Sequence, residues 1–248
     1  MKRALVLEGG TMRGAFIVGA LKVIHKELGS RYFDGIFSNS VGVFEQASFA
    51  AGQIKEMENT WRDYVHGRKL ISVLKPLQGK AILDLDYLVD LFQSDKARMD
   101  IEALRSSPYE LITLAADYET KEVVSLNLKE GDIFTAMKAT CAIPSIYPRK
   151  IFINGRRYVD CLIAPYENFL SALEKSLEGY DEVVCVSTYK DCDPRLEEMV
   201  DFIVRPSAMP LWGALDTNRK RILRTIAQGE KDAAQFIENL KGSVKSSG

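Results

Sequence analysis

The sequence predicts an α/β fold with parallel strands, on three observations. An apolar run at 4–7 passes straight into a glycine-rich loop at 9–14 and then into an amphipathic helix. The plan repeats at once: the apolar run at 33–37 breaks at Ser38-Asn39-Ser40 and gives way to a helix-compatible segment over 41–52. After a helical middle, strand and helix signals alternate again to the end of the chain. Successive strand-to-helix turns of this kind gather functional groups at the carboxyl ends of parallel strands.

Each element has its own warrant. Ala4-Leu5-Val6-Leu7 is continuously apolar, as a strand buried on both faces requires. Over 15–28, Phe16, Ala20, Val23, Ile24 and Leu28 recur at a spacing near 3.6, and Gly29 ends the helix. From 53 to 106 helix signals replace strand signals: Trp61, Tyr64 and Val65 mark one helix, and Leu83, Leu85, Leu88, Val89, Leu91 and Phe92 form a second apolar stripe. We read 53–106 as a helical cap laid over the sheet, or as ordinary core-packing helices. Strands return at 109–116 and 122–126 about a turn at 119–121, and a helix follows over 133–142. Pro144 and Pro148 hold 143–148 extended or irregular. Asn154-Gly155 between Ile151-Phe152-Ile153 and Arg157-Tyr158-Val159 signals a tight hairpin. A helix at 168–177, a strand at 182–186, a loop with a short helix after 190 and a strand at 202–204 come next. Two helices, 214–228 and 231–240, close a single domain over 1–241, and the Ser/Gly/Lys-rich tail 242–248 is expected to fray.

Composition excludes several functions. The 33 basic and 34 acidic residues nearly cancel, so no global field favours nucleic acid or an anionic membrane. Cys141, Cys161, Cys185 and Cys192 form no CxxC pair, and no secretory leader or spanning apolar run is evident, which points to reduced thiols in the cytoplasm. Met209, Leu211 and Trp212, ahead of Arg219, Lys220, Arg221 and Arg224, have a composition compatible with transient docking at a membrane surface; core packing beside a solvated basic face is the competing reading.

The chemistry converges on Ser40. A serine at a strand-to-helix turn projects its hydroxyl from the sheet edge, at the positive end of the next helix, where a nucleophile is favoured; capping that helix is its other possible role. Only two histidines exist, His25 within the first helix and His66 beside Gly67, where helix-end capping competes with a general-base role. A carboxylate serves instead if partial desolvation raises its basicity. Asp160, just past the hairpin, occupies the right place, though a turn aspartate bonded to its own backbone fits there too. Gly9, Gly10 and Gly14 let backbone N–H groups converge into an anion site, while Arg13 anchors the loop. The G-G-x-x-R-G spacing, followed by Ala15, satisfies neither a dinucleotide fingerprint nor a P-loop. A phosphate site built from the loop alone remains an alternative.

Three features together, the G-G-x-x-R-G loop, the serine turn, and an aspartate after an A-I-P-x-x-x-P segment and a hairpin, resemble the patatin-like phospholipase family over about 2–190. The resemblance implies a three-layer α/β/α sandwich with a mostly parallel sheet, and a Ser40–Asp160 dyad that hydrolyses lipid or phospholipid esters through an acyl-enzyme. It places an oxyanion hole in the loop Gly9, Gly10, Thr11, Met12, Arg13 and Gly14, with N–H groups from Gly10, Thr11, Met12 and Val41. It requires no metal or cofactor. The chain departs from the family pattern at the elbow, where Ser38 replaces the first glycine and only Gly42 is kept. Thr11 stands for a third loop glycine, and Cys161-Leu162 follow Asp160 in place of small residues. Those departures leave open a weakened or non-catalytic module that binds lipid or an acidic partner.

Overall fold

The computed structural model describes residues 1–79 and 81–246. β1 (Arg3–Leu7) leads through a 3-10 turn at Thr11–Arg13 into α1 (Gly14–Leu28), and β2 (Gly35–Asn39) turns at Ser40 into α2 (Gly42–Ala50). Three helices follow: α3 (Ile54–Asp63), α4 (Leu85–Gln93) and α5 (Ile101–Ser106). Next come β3 (Glu110–Asp117), β4 (Val123–Asn127), α6 (Ile133–Cys141) and the hairpin of β5 (Ile151–Ile153) and β6 (Arg156–Val159). The chain ends with α7 (Tyr166–Ser176), β7 (Glu182–Val186), α8 (Pro194–Glu198), β8 (Phe202–Val204) and α9 (Arg219–Ser246).

Among the described residues the sheet has eight strands, with β3, β2, β1, β7 and β8 running parallel. β4 and β6 pair antiparallel with β3, and β5 with β6, so the sheet is mixed but mostly parallel. Leu7 pairs with both Ser38 and Val186, which brings the ends of β1, β2 and β7 to one level. The loops after those strands therefore open on a common edge.

Alternation along β1 sorts the core into two faces. Leu5 and Leu7 pack with residues of α1, α2, α6 and α9, whereas Ala4 and Val6 pack with Phe169, Leu170 and Leu173 of α7 and Leu196 of α8. The result is helix, sheet and helix in three layers. The helices of 54–106 join the first layer: α3 packs on α1, α2 and α9, α4 on α6, and α5 on α2. Trp61, Leu88 and Phe92 are buried in the same core as α1. Among the described residues no helix is long and apolar enough to cross a membrane.

One expectation is corrected at the end of the chain. The two helices read as 214–228 and 231–240 are a single α9, which begins at Arg219 and runs without interruption through Gly229. Gly229 is an approach point, not a breaker. A Cβ there would lie 2.1 Å from the Phe16 carbonyl oxygen, and one on Gly19 would lie 1.9 Å from that of Ile226. Reciprocal glycines let α1 and α9 cross backbone to backbone, a packing reason that outweighs the helix penalty of glycine, about 1 kcal/mol. α9 also continues through Gly242 to Ser246, where a tail was expected; 247–248 of that tail lie outside the described residues.

Candidate active site

Ser40 sits at the corner between β2 and α2 with φ of 51°, in the left-handed region that few non-glycine residues occupy. Two contacts hold it there. Its N–H donates to Thr140 Oγ1 at 2.8 Å, and α2 starts tight against β1, because a Cβ on Gly42 would lie 2.6 Å from the Leu7 carbonyl oxygen. Ser38, the substituted elbow position, lies in the extended backbone of β2 and carries no positive φ. Its buried hydroxyl donates to Gln46 Oε1 at 2.5 Å and lies 3.1 Å from Thr113 Oγ1. Gln46 in turn donates to the Ile36 and Ile112 carbonyls. A serine is therefore accommodated by a polar network beneath the elbow, without the strain that a glycine would be needed to relieve.

The glycine loop wraps the same point. A Cβ on Gly9 would lie 2.6 Å from Ser40 Cβ, and one on Gly10 only 2.2 Å from Thr188 Oγ1. Gly9 N–H donates to Asn39 Oδ1 at 3.1 Å, tying loop to elbow. Thr11 takes φ of 52°, the backbone of the glycine it replaces, which for a β-branched residue costs about 1–3 kcal/mol. The donor set is narrower than the sequence suggested. Met12 N–H is taken by the Ala214 carbonyl at 2.9 Å and Arg13 N–H by that of Gly10 at 3.1 Å, while Gly14 N–H turns back into the 3-10 turn. Met12 is thus removed from the expected oxyanion donors. Gly10, Thr11 and Val41 keep N–H groups with no partner among the described residues. Arg13 anchors the loop by stacking its guanidinium 4.9 Å over the Tyr189 ring.

Asp160 follows β6 directly and is 3% exposed. Its N–H donates to the Ala142 carbonyl at 3.0 Å, and its Oδ1 accepts Leu162 N–H at 2.9 Å, the bonding of a turn aspartate. Burial pushes its carboxyl up to about 6, against the pull of Leu162 N–H and of the neighbouring Ser40 hydroxyl. Cys161 is buried in the smaller core and its thiol is raised well above the usual range by burial, as for an inert apolar filler. Leu162 is 72% exposed at the mouth of the site.

Ser40 and Asp160 meet in an open cleft of about 460 Å3, also lined by Glu8, Gly9, Gly10, Thr11, Tyr166 and Tyr189. Ser40, Thr11 and Ile143 line a second, smaller and mostly apolar pocket as well, of about 50 Å3, walled by Phe44, Trp61, Leu88 and Phe92. Neither histidine borders either space; His25 stands edge-on to Phe49 at 5.7 Å. Of the surface cluster near 210, Leu211 is buried and only Trp212, at 86%, is strongly exposed, with Arg221 3.8 Å over its ring. Sequence reasoning missed Glu8, Asn39, Thr140 and Thr188. Glu8 and Asn39 adjoin known motifs and were within reach; Thr140 and Thr188 carry no local signal.

Comparison with known proteins agrees with this fold. A curated relative, the uncharacterized protein YjjU of Escherichia coli K12, is 25% identical over 190 residues, covering 75% of this chain and 51% of the relative. The chain thus spans about half the length of that relative. Among solved structures, VipD of Legionella pneumophila superposes with a TM-score of 0.60 at 11% identity, over 96% of this chain and 67% of that one. The type III effector ExoU of Pseudomonas aeruginosa gives 0.50 at 14% identity, over 96% and 53%. These two share the fold. Residues 5–165, from the first strand through Asp160, match the patatin-like phospholipase family, and the chain belongs to that family of lipid-ester hydrolases.

Proposed function

We propose that this chain is a serine acyl hydrolase that cleaves carboxylic esters of lipids, with Ser40 as nucleophile and Asp160 as its base. The observation that carries the reading is the buried Asp160 carboxyl, which lines the same open cleft as Ser40 and is pushed up to about 6 by burial. A base of that strength is ionised at neutral pH yet more proton-avid than an ordinary aspartate. It accepts the Ser40 proton as Oγ attacks the ester carbonyl. Gly10, Thr11 and Val41 N–H groups receive the oxyanion, each such donor being worth about 2.7–4 kcal/mol of barrier. Asp160 returns the proton to the departing alcohol, and water, deprotonated by the same carboxylate, releases the acid.

The test is ester turnover as a function of pH. kcat/KM is expected to rise through about pH 6 as Asp160 ionises, and to fall to background in Ser40→Ala. A folded protein whose melting temperature responds to lipid while no ester is turned over would replace this reading with that of a binding module.

A further inference from the structure

The smaller pocket beside Ser40 holds a carboxyl that ester hydrolysis does not use. Glu45, in the first turn of α2, is 1% exposed and lines that mostly apolar space. Its Oε1 accepts the Trp61 indole N–H at 2.7 Å, and its buried Oε2 has no hydrogen-bond partner among the described residues. Among the described residues no cation contributes to its titration, and the buried Cys141 of α6 is a titratable neighbour. An unpaired buried oxygen is costly unless something supplies a partner. Burial pushes the Glu45 carboxyl up to about 8, so at neutral pH it keeps its proton. With Oε1 committed to Trp61, the free hydroxyl belongs to Oε2, an unpartnered donor in the wall of the pocket.

Shape says which part of an ester that is. The group that remains on Ser40 in an acyl-enzyme suits the small apolar pocket, whereas the alcohol that leaves suits the far larger and more polar cleft. A volume of about 50 Å3 admits only a few heavy atoms, since one water needs roughly 10–15 Å3 on this scale. On the acyl-hydrolase reading, which this inference requires, we propose that the pocket takes the acyl side of the ester and that Glu45 selects short acyl groups bearing a hydroxyl or oxo oxygen over plain hydrocarbon ones. Ser40 and Thr11, which border both spaces, mark the point where acyl group and alcohol part.

Two isosteric substrates test this: the 4-nitrophenyl esters of 3-hydroxybutyrate, both enantiomers, and of 3-methylbutanoate, which differ only by OH for CH3. The wild-type protein is expected to prefer one hydroxyacyl ester by roughly ten- to a hundredfold in kcat/KM. Glu45→Gln, whose amide still donates, keeps most of that preference, and Glu45→Leu brings the ratio close to one. Turnover of both esters by wild type with no hydroxyl preference overturns the role of Glu45 and leaves the hydrolase reading standing. A preference undiminished in folded Glu45→Leu also overturns it. Absence of turnover with either ester, together with absence of a covalent serine adduct, overturns the hydrolase reading and this inference with it. Should Glu45→Leu fail to fold, the wild-type ratio and Glu45→Gln decide.

Discussion

The two sides of Ser40 each bury a carboxyl, and they treat it differently. On the cleft side Asp160 accepts Leu162 N–H beside the Ser40 hydroxyl, and its carboxyl is held at about 6. On the pocket side Glu45 accepts one from Trp61, leaves Oε2 unpaired, and is pushed to about 8. Burial is the largest cause for both, and it raises Glu45 further. At neutral pH the first is an anion able to take a proton and the second a neutral acid able to donate one. Separated titrations of neighbouring groups are what the proposed pairing of base and donor requires.

Removing the cleft-side carboxylate is the harshest way to break the comparison. Asp160→Asn is expected to lower kcat by about 10^3-fold or more, measured by steady-state ester hydrolysis, because Ser40 loses its base. The same variant gains stability. Asp160 holds its proton more tightly folded than unfolded, so its contribution is present below about pH 3.8 and lost as the pH rises through about 6. At pH 8 the Asn variant is therefore expected to unfold at higher denaturant than wild type, by on the order of 1–3 kcal/mol, with the gap closing near pH 3.5. Glu45→Gln has the same sign over a wider window, stability being lost between about pH 4.5 and about 8. Its gain at pH 9 exceeds that of Asp160→Asn, and urea titrations at pH 4 and pH 9 check the order.

Milder changes sharpen the contrast. Thr140→Val removes the acceptor of Ser40 N–H and is expected to cost about 1–3 kcal/mol in stability. It should lower kcat more than it raises KM. Thr11→Gly relieves the positive φ of the loop, and a thermal-shift gain of about 1 kcal/mol with activity retained is the expected outcome.

Much of this architecture was legible in the sequence, because its punctuation is local. Gly9-Gly10 and Ser38-Asn39-Ser40 each end an apolar run and open a helix, and Asn154-Gly155 places Asp160 just beyond a hairpin. What escaped depends on contacts distant in sequence. Met12 looks like an oxyanion donor until Ala214 takes its N–H. Ser38 looks like a strained replacement until Gln46 and Thr113 receive its hydroxyl. Gly229 reads as a helix break because a close helix crossing and a breaker leave the same letter in the chain. Nothing local marks Thr140 as the anchor of Ser40, and Glu45 reads as an ordinary first-turn acid until burial sets it apart.

The most direct test of an activated Ser40 is intact mass after exposure to a fluorophosphonate, for wild type, Ser40→Ala and Asp160→Asn. One adduct on wild type, absent from Ser40→Ala and strongly slowed in Asp160→Asn, is the expected result. Folded wild-type protein that forms no adduct, or an adduct that survives Ser40→Ala, would contradict it.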